Sequence, residues 1–176
     1  MVFKETAVKG AYLVELDPRG DIRGFFARAW CSKEFETQGL KPKMVQANTS
    51  FNKYKGTLRG LHYQAYPKPE AKFMRCIRGR IYDVLVDLRP ESPTFKKWVG
   101  VELTAENRLA LYVPEQCAHG YLSLKDGSEV LYLVSEFYSP ECERGIRYDD
   151  VSIKIDWPTA IEHISEKDLA WALLEK

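Results

Sequence analysis

A handful of side chains in this sequence could move a proton or hold an anion. His62 stands in LRGLHYQ (58–64) beside Arg59, an imidazole next to a fixed positive charge in an otherwise apolar and aromatic run. With an ordinary pKa of about 6.5 it suits a general base at neutral pH, and equally a core-rim histidine satisfied by one hydrogen bond. His119, in CAHGY (117–121), follows Pro114 and precedes Gly120 at what reads as a loop-to-strand junction. Turn structure accounts for the proline and the glycine but not for the imidazole. Lys72 in KFMRCI (72–77) is either a desolvated cation or a lysine that snorkels at a sheet edge. Tyr132 and Tyr138 in EVLYLVSEFY (129–138) share a face by alternation, where core packing is the default for an aromatic ring. Asp168, three residues after Ser165, fits a helix-capping arrangement as well as a catalytic carboxylate. His163, among charged residues, reads as solvated.

Two histidines on separate strands also raise a metal site, but there is no H-x-H, and neither imidazole has a second one near it in sequence. The four cysteines are scattered without a C-x-x-C pair, so no zinc site is expected, and small buried thiols in a reducing cytoplasm fit best. A formal charge of +1 argues against a nucleic acid or an anionic membrane as main partner, while leaving room for one small anion. No run is long and apolar enough for a bilayer, and the N-terminus lacks the signature of a signal peptide.

These residues must be placed by β-structure. The 176 residues suit one domain with a sizeable core. AYLVEL (11–16) ends at DPRGD (17–21), read as a turn, and FFARAW (25–30) follows; a short helix is expected from an N-cap at Ser32 to a stop at Gly39. Then come KMVQANTSF, TLRGLHYQ, KFMRCI, IYDVLVDL, KWVGVEL, LALYVP, GYLSL and EVLYLVSEFY, each of strand length and bounded by turn residues. RGR (78–80) reads as a hairpin connection with Gly79 at positive φ. Helical periodicity appears only in SEKDLAWALLEK (165–176). The expected class is mostly antiparallel β, a sandwich or barrel with a small C-terminal helix. Strict alternation puts His62 and Arg59 on opposite faces of their strand; a bend or bulge at Gly60 would be needed to bring both to one ligand.

GTLRGLHYQ, EAK (70–72), DVLVDLR (83–89), SPTF (92–95), AHGY, Tyr132 with Tyr138, ERGI (143–146) and SEKD (165–168) occur in this order over nearly the whole chain. The series resembles the dTDP-4-dehydrorhamnose 3,5-epimerases, a cofactor-independent branch of the cupin-like jelly rolls. The resemblance implies an all-β antiparallel jelly-roll barrel, a homodimer with N-terminal strands exchanged, no cofactor or metal, and a nucleotide-diphosphate 4-keto sugar bound inside the barrel. By position, His62 resembles the catalytic base, Asp168 the carboxylate that orients it, Tyr132 the general acid, and Lys72 the cation beside the keto oxygen. Arg59 and Arg23 resemble diphosphate and nucleotide contacts; Gln46, Asn48, His119, Tyr138, Glu143 and Lys167 match further substrate-contacting positions.

Arg28 in RGFFAR stands at a nucleoside-contacting position where the resembled enzymes carry a glutamate, and Ala47 where an aspartate is common. A guanidinium only donates hydrogen bonds, so the partners offered to the nucleoside are expected to differ. Gln116 and Cys117 replace a more usual glycine and phenylalanine, an expected change in pocket shape. Competing readings are an epimerase inverting one carbon only, a 3,4-ketoisomerase on a similar sugar, a non-catalytic nucleotide-sugar-binding jelly roll, and a metal-dependent cupin.

Overall fold

Strands that bury one face against another layer alternate apolar residues, and here that alternation builds two facing antiparallel sheets. The computed structural model describes residues 1–174. In chain order the strands are β1 (Val2–Glu5), β2 (Tyr12–Glu15), β3 (Arg19–Asp21), β4 (Gly24–Phe26), β5 (Gln46–Asn52), β6 (Leu58–Gln64), β7 (Lys72–Arg78), β8 (Arg80–Asp87), β9 (Trp98–Thr104), β10 (Ala110–Val113), β11 (Cys117–Ser123), β12 (Ser128–Val134) and β13 (Glu143–Gly145). Two short helices are α1 (Ser32–Thr37) and α2 (Glu166–Leu169). One sheet runs β1-β2-β10-β7-β12-β5, the other β13-β6-β11-β8-β9. This is the jelly-roll arrangement expected from the sequence.

Side-chain parity sorts the two faces. Met74, Cys76, Ile81, Leu85, Leu103, Leu111, Tyr121 and Val130 point between the sheets and form one core cluster. On the outside of the six-stranded sheet, α1 lays Phe35 against Phe73, with ring centroids 5.0 Å apart at 86°. On the outside of the five-stranded sheet, Leu61, Val84, Val86 and Ala118 are covered by Ile146, Ile153 and Trp157 from the C-terminal third. Part of each outer face is therefore covered, and the space between the sheets is packed only in part.

Several expectations need correction. RGR is not a hairpin: Gly79 does take φ +75°, but β7 and β8 belong to different sheets, so the tight bend is a corner where the chain changes layer. DPRGD is not a turn; Arg19–Asp21 pairs with Gly24–Phe26 as a separate two-stranded ribbon, and the turn falls at residues 22–23. FFARAW accordingly contributes only its first two residues to a strand. Helix α1 has Cys31, not Ser32, at its N-cap, without a side-chain cap; Gly39 at φ +69° closes it, its N–H donating to the Glu36 carbonyl. The C-terminal helix is a single turn, and the last two residues of the expected segment, Glu175 and Lys176, lie outside those described. Cys117 packs in the core between the sheets and does not line the cavity described below, its thiol pushed up to about 12 by burial.

Candidate active site

At one end of the barrel the inward positions turn from apolar to polar. Lys72 precedes Met74 and Cys76 on the inner face of β7, and Tyr132 follows Val130 on β12. On the opposite sheet His119 lies between Cys117 and Tyr121 on β11, and Asp83 between Ile81 and Leu85 on β8. Facing side chains of one character make a core, and facing side chains of the other character make a site.

Arg59 joins this face through a bulge. In the β6–β11 ladder His62 opposes His119 and Arg59 opposes Tyr121, so three steps along β6 match two along β11. The extra residue lies next to Gly60, at φ +128°, and restores Arg59 to the same face as His62. Neither glycine at this crossing tolerates a side chain: a Cβ on Gly60 would strike the backbone of Gly120, and one on Gly120 the carbonyl of Arg59. The two imidazoles, far apart in sequence, are thus cross-strand neighbours.

His62 Nε2 lies 2.6 Å from Asp168 Oδ1. An ionised carboxylate only accepts, so the proton sits on Nε2, leaving Nδ1 with its lone pair free to act as base. Asp168 is held by two further hydrogen bonds and by burial. Its Oδ2 accepts from Gly60 N–H at 3.2 Å, its own N–H donates to Ser165 Oγ at 3.1 Å, and it is 4% exposed. Burial alone would raise this carboxyl, but the hydrogen bond and charge of His62, helped by the Gly60 N–H and Ser165, hold it below the ordinary aspartate value. The capping reading of S-x-x-D therefore holds, since Ser165 caps α2, and the same turn brings Asp168 to His62.

From the other wall, Tyr132 is half-buried and its phenol is raised above the ordinary value, chiefly by desolvation and then by the charges of Tyr121 and Glu70. It stays protonated at neutral pH. Lys72 Nζ is 3.1 Å from Glu70 Oε1 and 3.4 Å from the His62 carbonyl, with both side chains of the ion pair nearly buried. His119 Nε2 is 2.7 Å from Asp83 Oδ1, with His119 4% and Asp83 0% exposed; Asp83 Oδ2 has no partner. Being inside a strand, His119 is not at the loop-to-strand junction expected of it.

A cavity of about 520 Å³ is lined by Arg59, His62, Lys72, His119, Tyr132, Lys167 and Asp168, and His62, Lys72 and Tyr132 also line a second lobe of about 330 Å³. Both volumes are in the range of small-molecule sites. The second lobe holds Gln46, Asn48, Tyr138 and Glu143. Glu143 ties it together, accepting from Tyr138 Oη at 2.7 Å and from Lys167 Nζ at 2.6 Å. Tyr138 lies past the end of β12, so it reaches this lobe from a loop rather than by sharing the strand face of Tyr132. His163 is exposed, as expected, but stands at the cavity rim, where its carbonyl accepts from Leu58 N–H.

Two expected contacts stand apart in the single chain. Arg23 is at the tip of the β3–β4 ribbon, its guanidinium on Asp21, and Arg28 pairs with Glu34 at 2.6 Å. Sequence reasoning in turn missed several inner partners. Asn52 Oδ1 accepts from Arg59 Nε at 2.9 Å, Asn52 Nδ2 donates to Tyr121 Oη, and Asp83 and Glu70 pair with His119 and Lys72. Asp83 did leave a signal, a carboxylate in the apolar strand YDVLV that could be buried only with a partner.

Comparison with known proteins agrees with this arrangement. A family profile described as dTDP-4-dehydrorhamnose 3,5-epimerase matches residues 5–176. The chain belongs to that family. A dTDP-4-dehydrorhamnose 3,5-epimerase of Shigella flexneri is 45% identical over 166 residues, covering 94% of this chain and 91% of that protein. The crystal structure of the epimerase of Elizabethkingia anophelis superposes with a TM-score of 0.95 at 39% identity, covering 98% and 96% of the two chains. That of a Legionella pneumophila 3,5-epimerase in complex with dTDP-4-keto-L-rhamnose gives 0.90 at 37% identity, covering 98% and 92%. This family's chemistry is sugar epimerisation.

Proposed function

We propose that the chain epimerises a nucleotide-diphosphate-linked 4-keto-6-deoxy sugar of the dTDP-4-dehydrorhamnose type, inverting the carbons that flank the ketone. The observation that carries this is the placement of His62, backed by Asp168 from α2, on one sheet and the Tyr132 phenol on the other, lining one cavity with Lys72. A hydrogen next to a ketone becomes acidic only if the enolate oxygen is stabilised. His62 Nδ1 takes that proton, while the Lys72 ammonium, and His119 as an imidazolium that keeps a second N–H free of Asp83, stabilise the charge that collects on the oxygen. Tyr132 returns a proton to the same carbon from the opposite face, and the C–H bond re-forms inverted. One proton leaves and one arrives, without net oxidation, so the step calls for no cofactor. Arg59 and Lys167 supply positive charge for the diphosphate.

The nucleoside end is where a second chain enters this reading. Ile22 at 105%, Phe26 at 75% and Phe25 at 48% exposure leave the β3–β4 ribbon with apolar groups uncovered beside Arg23. An exchanged ribbon in a homodimer would cover them and carry Arg23 and Arg28 to the partner's cavity. Mixing a His62→Asn protomer with an Arg23→Ala protomer tests this, since a hybrid dimer would regain one complete site and part of the activity. Absence of any regain argues that each site is built from one chain. The four free cysteines suit a cytoplasmic setting.

The reaction itself is tested by incubation with dTDP-4-keto-6-deoxyglucose in heavy water. Deuterium appearing at both C3 and C5 by NMR is the expected result. Deuterium at one carbon alone would reduce the reading to a single-centre epimerase, and none with this or any other nucleotide-linked 4-keto sugar would overturn it.

A further inference from the structure

His62 is braced on one side by Asp168, and the structure offers a second brace. In the β13–β6 ladder the residue directly opposite His62 is Gly145. Directly opposed residues on neighbouring strands normally pack their side chains together on one face, and here that place is left open by a residue without a side chain. The indole of Trp171 occupies it. A Cβ on Gly145 would fall within the contact radius of Trp171 Cε2 and Cδ2, so the indole lies directly on the glycine. From that seat it meets the His62 ring edge to face, with centroids 5.9 Å apart at 62°. Trp171 does not line the cavity, so it stands behind the imidazole rather than against a ligand.

The segment that carries Trp171 is fixed at several points. Thr57 and His163 form a parallel bridge, and the Glu162 and His163 N–H groups donate to the Gly56 carbonyl. Beyond the indole, Arg147 N–H donates to the Ala172 carbonyl at 3.3 Å, and Leu174 N–H to Asp150 Oδ2 at 2.6 Å. Asp168 and Trp171 are therefore delivered by one pinned stretch of chain, one hydrogen-bonding the imidazole edge and the other packing against the ring. The indole Nε1–H is buried without a partner, so hydrogen bonding does not explain why the ring sits there. Its packing between Gly145 and His62 does.

We propose that Trp171 is a positioning residue for His62, standing in for the missing cross-strand neighbour and holding the imidazole in line with Asp168. The inference rests on His62 being the base of the epimerisation, and its test has one arm that needs no substrate. A protonated imidazole quenches an adjacent indole. The Trp171 emission, taken as the difference between the unaltered protein and Trp171→Phe, should fall as the pH is lowered through the imidazole range, and should lose that dependence in His62→Asn. In the kinetic arm, Trp171→Ala should lower kcat about tenfold with KM within about twofold, as expected for a misplaced catalytic group rather than a lost binding contact. Trp171→Phe, which keeps a ring on Gly145, should recover most of that loss. Emission that ignores pH would overturn the proposal, as would a Trp171→Ala protein with unchanged kcat. A loss shared equally by the Phe and Ala variants would also overturn it.

Discussion

Between His62 and Asp168, and between His119 and Asp83, the nitrogen-to-oxygen distances are 2.6 and 2.7 Å, yet the two pairs sit in opposite circumstances. His62 is 27% exposed at its side chain and takes its carboxylate from a one-turn helix more than a hundred residues later in the chain. His119 and Asp83 come from adjacent strands of one sheet and are sealed from solvent. A base must shed its proton to water after each turnover, and a donor that steadies an oxyanion must stay where it is. Equal hydrogen bonds in unequal settings thus suit unequal tasks. The open pair suits proton transfer, and the closed pair suits a fixed electrostatic contact.

The sharpest way to break this contrast is to remove the bases. His62→Asn should cost about 10³-fold in kcat, within the usual contribution of general base catalysis, and abolish deuterium uptake from heavy water. Should His119→Asn abolish uptake and His62→Asn spare it, the roles are reversed. Next come the carboxylates. Asp168→Asn should lower kcat about 10²-fold, because the amide no longer fixes the Nε2–H tautomer. Asp83→Asn should lower kcat less, about tenfold, while destabilising the fold by about 1–3 kcal/mol in urea titrations, as a broken buried contact does. Tyr132→Phe sharpens the contrast between the walls. Deuterium exchange at the sugar should persist in it while net inversion falls by about 10²-fold, since only the far-face proton donor is lost.

What could be read in the sequence follows from which interactions are local. Strand length, turn residues and alternation are local, so the antiparallel sandwich-or-barrel class and the shared face of Lys72, Met74 and Cys76 were legible, while the jelly roll itself came from the family resemblance. Gly60 was legible as the one place where Arg59 and His62 could be reconciled, because only a glycine crosses a neighbouring backbone so closely. Which strands neighbour one another is not local. RGR looks the same whether the chain doubles back within a sheet or changes sheets, so the corner was mistaken for a hairpin. For the same reason the partners Asp83 and Asn52 stayed hidden, each serving a side chain whose position depends on register or on the bulge. Arg23 and Arg28 show the complementary limit, since Arg23 stands at the exposed tip of its ribbon and Arg28 is tied to Glu34, and the role proposed for them calls for a second chain.

The smallest effect expected concerns a third carboxylate, and it tests whether burial beside a permanent cation differs from burial beside an imidazole. Asp87 ends the strand that carries Asp83, but its partners are Arg89, at 2.8 Å from both Nε and Nη2, and the hydroxyls of Ser92 and Thr94. Burial pushes this carboxyl up, and the arginine and hydroxyl hydrogen bonds outweigh it, leaving the group at about 2 against an ordinary 3.8. A folded-state value below the unfolded one means stability that is fully present above about pH 4 and is lost as the pH falls toward 2, on the order of 2 kcal/mol. Asp87→Asn should therefore weaken the fold by roughly that amount at pH 7, and the gap between the two proteins should close as unfolding is followed down to pH 2. Kcat should change less than twofold, because the Asp87 knot joins the β8–β9 connection to the Lys9 carbonyl through Arg89 and touches neither lobe of the cavity. A gap that stays constant with pH would mean that Asp87 contributes through shape alone, and the distinction between cation-held and imidazole-held carboxylates would lose its energetic basis.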